Sequence, residues 1–151
     1  MEKKILLNEK IFVAGSKGMA GRAICKALIK NGYGKNNGGV ILKPTRKELD
    51  LLDINAVKKW FNLNKPTVVI IAAAKVGGIL ANSKYPTQFL LDNLKIQNNL
   101  IETSWQAGVK RLLFLGSSCI YPKFANQPLK EDYLLDGQLE PTNQWYAIAK
   151  I

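Results

Sequence analysis

The chain has 151 residues, 47% of them apolar, so it can bury a sizeable core and is neither disordered nor fibrous by composition. Its formal charge of +11 suggests an anionic partner, either nucleic acid or a phosphorylated small molecule. Because the lysines are scattered and do not form a block, a solvated basic surface is the plainer interpretation.

Strand and helix patterns alternate along the chain. Strands are predicted at 10–14, 40–43, 67–73 and 111–117, and helices at 19–31, 55–63 and 85–106, with a last helix opening at Pro141. A turn-rich loop is predicted at 31–39, and Gly108 fits a C-cap of the long helix. The run at 67–73 is apolar throughout, as expected for a central strand of a parallel sheet. This order predicts right-handed βαβ units and an α/β fold with a doubly wound, Rossmann-type parallel sheet.

Several common signals are absent from the sequence. Cys25 and Cys119 give no disulfide framework and no metal-ligand spacing, and the chain has no histidine. The longest apolar run, 68–74, is far shorter than the roughly 20 residues of a membrane span, and no signal-peptide pattern is present. We therefore expect a protein of the reducing cytoplasm with no metal and no membrane partner.

A glycine-rich segment, GSKGMAG at 15–21, lies between the first strand and the first helix. Gly15 would permit the tight turn, Gly18 would let a pyrophosphate approach the backbone, and Gly21 would allow close packing of helix on strand. The free N–H groups at the helix start would then face the anion. A purely structural turn is the alternative, but the position between strand and helix favours dinucleotide binding. The GxxGxxG spacing is typical of short-chain dehydrogenases.

The tip of the second strand carries basic residues, Lys43 and Arg46, and no carboxylate before Glu48. NAD-binding domains usually place Asp or Glu here, where it bonds the ribose 2′-OH. The basic tip therefore predicts NADP(H), and Arg46 is the better candidate because its planar fork matches phosphate oxygens. A solvated surface arginine is the alternative interpretation.

Tyr146 and Lys150 stand at i and i+4 and so share a helix face. We expect the cation to lower the pKa of Tyr146 from its reference near 10, which would make the phenol a usable acid near neutral pH. Such a pair is a weak signal by itself in a lysine-rich chain with five tyrosines. The Pro-Thr-Asn at 141–143 strengthens it by supplying a helix start.

Ser117 and Cys119 follow the strand at 111–117, at the sheet edge where ligands of α/β proteins bind. Ser117 could hydrogen-bond a substrate oxygen, or it could simply cap the strand end. Cys119 could exchange a proton, or it could be a small buried hydrophobic residue. The residues alone leave both alternatives open.

The order of these motifs, GxxGxxG, then serine, then YxxxK, resembles the extended short-chain dehydrogenase/reductase family. Longer strings resemble the GDP-L-fucose synthases within it: AAAKVGGI at 72–79, LFLGSSCIYPK at 113–123, and LEPT at 139–142 running into YAIAKI at 146–151. The similarity covers nearly the whole chain from Ile11 onward. It implies epimerisation of GDP-4-keto-6-deoxy-D-mannose at C3 and C5, and then NADPH-dependent reduction at C4 to GDP-L-fucose.

The resemblance also implies a role for each motif residue. Tyr146 would protonate the C4 oxygen, Lys150 would tune Tyr146 and bond the nicotinamide ribose, Ser117 would bind the C4 oxygen, and Cys119 would be the epimerisation base. The residues that would line the cofactor are Gly15, Ser16, Lys17, Gly18, Met19, Ala20, Gly21, Arg46, Lys47, Glu48, Leu49, Asp50, Leu51, Leu115, Gly116, Ser117, Ser118 and Lys150.

Two features of the family are missing from this chain: a histidine acid beyond the YxxxK helix, and a C-terminal domain that holds much of the GDP-sugar. We therefore expect residues 1–151 to be an NADP-binding Rossmann domain truncated within the YxxxK helix, with the C-terminal substrate domain absent and with little or no synthase activity alone. The full-length protein is expected to be a homodimer through the helix at 85–106. The alternatives are a related nucleotide-sugar epimerase or reductase and a non-enzymatic NADP-binding fragment. Nucleic-acid binding is not expected, because no basic patch is interleaved with aromatic residues.

Overall fold

The computed structural model describes residues 5–35 and 38–151, so residues 36 and 37 of the predicted loop at 31–39 lie outside the described residues. The main elements are β1 (Lys10–Ala14), α1 (Met19–Lys30), β2 (Val40–Leu42), α2 (Ile54–Asn64), β3 (Val68–Ile71), α3 (Ile79–Lys84), α4 (Pro86–Gln106), β4 (Arg111–Phe114) and α5 (Gln144–Ile148). Two short 3₁₀ turns, Ser118–Ile120 and Glu131–Tyr133, lie between β4 and α5.

The four strands form one parallel sheet in the order β2-β1-β3-β4. This confirms the predicted α/β fold with a parallel sheet. β3 pairs with β1 on one side and with β4 on the other, and all four of its residues are buried. Its position inside the sheet accounts for its continuous apolar run.

Helices pack on both faces of the sheet. Successive residues of a strand point to opposite faces, so neighbouring residues of β1 belong to different core clusters. Phe12 of β1 belongs to the core cluster that includes Phe61 of α2 and Leu100 of α4. Its neighbour Val13 belongs to a second cluster, which includes Cys25 of α1. The two clusters on opposite faces are those of a doubly wound sheet.

β4 is shorter than the sequence predicts. It ends at Phe114, and the last ladder bond runs from the N–H of Leu115 to the carbonyl of Ile71 at 3.2 Å. Because β3 itself ends at Ile71, the residues that follow Leu115 have no ladder partner there. The chain from Gly116 onward is therefore free to turn into the 3₁₀ segment.

The six-residue helix α3 was not predicted. Its first turn is held by Asn82, whose side-chain Nδ2 donates to the carbonyls of Gly77 at 2.9 Å and Gly78 at 3.1 Å. Ile79 and Leu80 are exposed on this helix, so no apolar periodicity marks it in the sequence.

The chain divides into two compact units, Met1–Ala73 with Ile96–Leu115, and Ala74–Lys95 with Gly116–Ile151. The first unit contains the sheet and both core clusters. In the second unit Asn93, which is 2% exposed, fixes the chain at Lys75: its Oδ1 accepts from the Lys75 N–H at 2.8 Å, and its Nδ2 donates to the Lys75 carbonyl at 3.0 Å.

Both cysteines are free. The described residues include no helix with the length and apolar character needed to cross a membrane. In the same part of the chain, no group of three or more His, Cys, Asp and Glu side chains is placed to hold a metal ion.

Candidate functional sites

The glycine-rich turn has the geometry that its sequence predicts. Gly15 adopts φ +79°, in the left-handed region that favours glycine, and a Cβ there would lie 2.7 Å from the Cα of Ala73. A Cβ at Gly21 would overlap the carbonyl oxygen of Gly15, so α1 can begin this close to the turn only with glycine. Gly18 is exposed, and a Cβ there would meet no atom closer than 3.3 Å. Its missing side chain therefore leaves the backbone open to a ligand.

The N-terminus of α1 is the natural anion site of the first unit. Gly18 is the N-cap, and no side chain among the described residues caps the helix. The first N–H groups of a helix have no intrahelical partner, and the helix dipole adds a partial positive charge there. This turn and helix start therefore fit the pyrophosphate of a dinucleotide.

A cavity of about 670 Å³ lies beside the turn, along one side of α1. Its lining residues are Ser16, Lys17, Arg22, Cys25, Lys26, Ile29 and Lys43. Four of the seven are cations, and the sequence pattern marked only Lys17 and Lys43 of these. In the sequence, Arg22 and Lys26 are distinguished only by their i, i+4 spacing, which places both on one helix face. The same spacing is common on solvent-facing helices, so it did not single them out.

Glu48 closes the turn after β2. Its Oε2 accepts the Thr45 N–H at 2.6 Å, and this bond is the largest cause of the lowered pKa of Glu48. Nearby Lys17 lowers that pKa as well. Arg46 and Lys47 project from this turn as exposed side chains, and Arg46 does not line the basic cavity.

The other residues expected along the cofactor take different positions. Leu49 is 4% exposed, and its side chain packs in the core cluster with Phe12, where it supports the turn from inside. The carboxylate of Asp50 accepts the Leu52 N–H at 3.0 Å. Of the other residues expected along the cofactor, Leu51 and Leu115 are partly buried, and Gly116 and Ser118 are exposed.

The second unit brings together the four residues expected to be catalytic. Ser117 Oγ lies 3.1 Å from Cys119 Sγ, and it accepts the Cys119 N–H at 3.4 Å. Lys150 Nζ lies 5.9 Å from the centroid of the Tyr146 ring. The two pairs interact. The pKa of Tyr146 depends on a hydrogen bond to Ser117 and on the charge of Cys119, and the same charge acts on the pKa of Lys150.

The structure bears on the alternative interpretations of Ser117, a strand-end cap, and of Cys119, a small buried hydrophobic residue. Ser117 does cap the 3₁₀ turn Ser118–Ile120, so its structural role is real, and its hydroxyl also reaches Tyr146. Cys119 is only partly buried, in contrast to Cys25, which is 7% exposed in the core. Cys119 is therefore not a core hydrophobic residue.

The expected lowering of the Tyr146 pKa is wrong. Burial is the largest effect and raises the pKa of Tyr146 above 10, the charge of Cys119 raises it further, and the Ser117 hydrogen bond lowers it in part. Lys150 is 6% exposed, and burial lowers its pKa, which the charge of Cys119 opposes. Desolvation penalises the charged form of both groups, which an i, i+4 spacing does not reveal. Tyr146 is therefore a protonated phenol at neutral pH.

The segment that leads into α5 is fixed by Glu140, which the sequence pattern did not single out. Its Oε2 pairs with Lys123 Nζ at 2.9 Å, and its Oε1 accepts from the N–H and hydroxyl of Thr142 at 3.3 and 3.1 Å. This turn delays the helix, which begins at Gln144 and not at Pro141. Asn143 occupies the N-cap position, but its side chain makes no capping bond.

A parallel sheet, a glycine-rich turn into α1 and a Ser–Tyr–Lys cluster are the features of a nucleotide-dependent short-chain dehydrogenase/reductase. The chain belongs to the NAD dependent epimerase/dehydratase family, whose model matches residues 11–151.

The chain is similar to GDP-L-fucose synthase 1 of Arabidopsis thaliana, with 55% identity over 142 residues, which cover 94% of the chain and 42% of the relative. It is 50% identical over 151 residues to the GDP-L-fucose synthase of Sinorhizobium fredii, covering 100% of the chain and 46% of the relative. A similar solved structure is the GDP-mannoheptose C4 reductase of Campylobacter jejuni with NADP bound, at TM-score 0.89 and 41% identity, covering 97% and 45% of the two chains. The chain thus spans less than half the length of these proteins.

Proposed function

We propose that this chain is the NADP(H)-binding part of a GDP-L-fucose synthase, which converts GDP-4-keto-6-deoxy-D-mannose to GDP-L-fucose by epimerisation at C3 and C5 and reduction at C4. The observation that carries the proposal is the cluster of Ser117, Cys119, Tyr146 and Lys150 within one unit. Hydroxyl, phenol and ammonium groups are what carbonyl reduction needs, and a thiol is what epimerisation adds.

The first unit supports NADP(H) as the cofactor. The backbone at Gly15, Gly18 and Gly21 and the N-terminus of α1 would hold the pyrophosphate, and the basic side chains around Lys43 and Arg46 favour a 2′-phosphate over a free 2′-OH. When bound, NADPH supplies the hydride that reduces C4. The similar C4 reductase of Campylobacter jejuni, solved with NADP bound, supports this assignment.

Tyr146 would act as the acid of the reduction. Its raised pKa keeps the phenol protonated, so it can give a proton to the C4 oxygen as that oxygen gains negative charge. The Ser117 hydroxyl would donate a hydrogen bond to the same oxygen and stabilise the developing charge. The ammonium of Lys150, beside the Tyr146 ring, would stabilise the phenolate left after proton transfer.

Cys119 would act as the base of the epimerisation. The C–H groups at C3 and C5 lie α to the C4 ketone, so their protons are acidic enough to be removed by a thiolate. Each epimerisation also needs a proton returned to the opposite face of the carbon, and the chain has no histidine to supply it. Because the chain spans under half of its curated relatives, we expect little or no synthase activity from the 151 residues alone.

A chimera tests this proposal, with residues 1–151 joined to the remaining C-terminal part of the Sinorhizobium fredii synthase. We expect it to form GDP-L-fucose, to consume NADPH, and to incorporate solvent deuterium at C3 and C5. Tyr146→Phe should abolish NADPH consumption but retain deuterium incorporation, whereas Cys119→Ser should abolish the incorporation. A folded chimera that neither consumes NADPH nor exchanges deuterium would refute the proposed function.

A GDP-sugar C4 reductase without epimerase activity is the second candidate, supported by the similarity to the Campylobacter jejuni reductase. The Cys119→Ser chimera separates the two candidates. In a pure reductase, deuterium incorporation is absent from the start and the substitution leaves NADPH consumption unchanged.

We further propose that the full-length protein is a cytoplasmic homodimer that associates through α4. Two apolar side chains one turn apart on this helix, Ile101 and Trp105, are 41% and 78% exposed, so both are available to pack against a second copy. A dimeric mass of the chimera in size-exclusion chromatography with light scattering, reduced to a monomeric mass by Trp105→Lys, would support this. A monomeric mass of the unsubstituted chimera would contradict it.

A further inference from the structure

Asn143 carries a side-chain oxygen that is shielded from solvent and has no hydrogen-bond donor among the described residues. In the described part of the second unit, two amide oxygens are in this state, Oδ1 of Asn82 and Oδ1 of Asn143. The Asn82 amide has a structural use, because its Nδ2 donates to the carbonyls of Gly77 and Gly78. The Asn143 side chain does not even cap the helix that it precedes. Asn143 is therefore the amide whose purpose the fold leaves open.

The backbone of Asn143 is fixed on both sides, so its side chain starts from a defined position. Its N–H donates to the carbonyl of Glu140 at 3.1 Å, and its carbonyl accepts the Ala147 N–H at 3.0 Å. An asparagine at a helix N-cap usually turns its oxygen toward a backbone N–H of the first turn, and this one does not. A shielded acceptor without a donor is costly in a folded protein. The position therefore suits a donor that a ligand brings.

Asn143 borders the cluster that would carry out the carbonyl reduction. Tyr146 is the third residue of α5, and the side chains at the N-cap and at the third position of a helix are neighbours. Tyr146 is hydrogen-bonded to Ser117, and α5 packs against the 3₁₀ turn that contains Cys119. A ligand group beside the Tyr146 hydroxyl is thus the nearest candidate donor for the Asn143 oxygen.

We propose that Oδ1 of Asn143 accepts a hydrogen bond from the C3 hydroxyl of the sugar. The assignment rests on the proposed function, in which Tyr146 and Ser117 bind the C4 oxygen. Of the two carbons bonded to C4, C5 carries a methyl group and the ring oxygen, neither of which can donate, and C3 carries a hydroxyl. The C3 hydroxyl is therefore the one donor next to the C4 oxygen, and it meets an acceptor that lacks one. Asn143 is then a specificity-determining residue that selects sugars with a hydroxyl at C3.

Turnover of two sugars by the chimera described above tests the proposal. One sugar is GDP-4-keto-6-deoxy-D-mannose, and the other is the same compound without its C3 hydroxyl. The variant is Asn143→Leu, which keeps the size of the side chain and removes its polar atoms. The matched control is Asn126→Leu, which makes the same change at an exposed asparagine of the second unit.

We expect the loss of kcat/KM in the variant, measured as NADPH consumption, to depend on the sugar. It should be about tenfold to a hundredfold for the sugar with the C3 hydroxyl, because that donor loses its acceptor, and less than about threefold for the sugar without it. A role confined to the structure of the helix start would lower both values alike. The control should turn over both sugars as the unsubstituted chimera does.

Urea denaturation of the 151-residue chain adds a measurement that does not depend on catalysis. Because Oδ1 of Asn143 has no donor among the described residues, its removal takes no hydrogen bond from the folded state. Asn143→Leu should therefore unfold at the same urea concentration as the unsubstituted chain or at a higher one. Asn143→Ala provides the comparison, in both the urea and the turnover measurements, if leucine does not fit.

The outcomes separate this assignment from the proposed function. If the chimera consumes NADPH and the variants lose equal activity with both sugars, or lose none, then Asn143 does not bind the C3 hydroxyl and the proposed function stands. A lower urea midpoint in both variants would show that the oxygen already has a partner in the protein, which also overturns the assignment. A folded chimera that consumes NADPH with neither sugar refutes the proposed function, and the assignment with it.

Discussion

At Tyr146, burial and the charge of Cys119 both favour the protonated phenol. In the unfolded chain this phenol loses its proton near pH 10, and in the folded chain it keeps the proton to a higher pH. As the pH rises past 10 the folded state holds the extra proton. Stability therefore falls across the window between the two pKa values.

Alkaline titration of the tyrosine absorbance should show this effect. The difference between the curves of the unsubstituted chain and Tyr146→Phe isolates one of the five phenols, and we expect its midpoint above pH 10. Ser117→Ala should raise that midpoint, because it removes the hydrogen bond that lowers the pKa, and Cys119→Ser should lower it, because it removes the raising charge. Shifts in the reverse directions would contradict the assigned causes.

The glycines of the turn should differ in what their substitution costs. Gly21→Ala places a methyl group against the carbonyl of Gly15, so we expect a loss of about 1–3 kcal/mol of unfolding free energy. Gly18→Ala places a Cβ 3.3 Å from the Gly15 carbonyl oxygen, a tight contact that needs a shift of only a few tenths of an ångström, and should change stability by less than about 1 kcal/mol. On the proposed function, however, its methyl group stands where the pyrophosphate approaches, so NADPH affinity should fall by about tenfold or more.

Urea denaturation and NADPH titration of the two variants provide the measurements. Equal stability losses in both would show that the close approach at Gly21 is not real. A Gly18→Ala chain that binds NADPH as tightly as the unsubstituted chain would show that the ligand does not approach this backbone.

At the scale of elements, Asn93 connects α4 to the segment that follows β3. Its three side-chain hydrogen bonds go to both backbone groups of Lys75 and to the carbonyl of Phe89. Asn93→Ala removes the side-chain partner of both backbone groups of Lys75, so we expect a loss of about 1–3 kcal/mol. Faster amide exchange at Lys75 should accompany the loss. Asn98→Ala, an exposed change on the same helix, should stay within about 0.5 kcal/mol, and an equal loss there would remove the special role of Asn93.

How far an element could be predicted from sequence depended on whether its signal was local. β1 and β3 are apolar runs bounded by turn residues, and the glycine spacing fixes the helix start at Met19, so these were confirmed. α3 was missed because it exposes Ile79 and Leu80 and is held by hydrogen bonds of Asn82. Amide bonds of this kind leave no periodicity in the sequence.

The candidate sites show the same division. Spacing predicted Ser117 beside Cys119 and a shared helix face for Tyr146 and Lys150. The four residues do lie together, but α5 ends at Ile148, so Lys150 follows the helix and does not share a face of it with Tyr146. The direction of the Tyr146 pKa shift was wrong because it depends on how much water the fold removes, which is a tertiary property. The roles of these residues in catalysis stay predictions.

In the molecule as a whole, the basic side chains behind the net charge of +11 have different surroundings. Some lysines form ion pairs on the surface, as Lys123 does with Glu140, and those pairs contribute little to stability. The cations along α1 and at Lys43 converge instead on one cavity. The phosphorylated small molecule suggested by the composition therefore has a specific location in the first unit.

Titration of the 151-residue chain with NADPH and, in parallel, with NADH tests whether the first unit is an NADP(H)-binding domain. We expect saturable binding of both with NADPH clearly tighter, because the glycine-rich turn holds the part they share and the basic residues hold the 2′-phosphate that only NADPH carries. A folded chain that binds neither dinucleotide, or that binds NADH as tightly as NADPH, would contradict it.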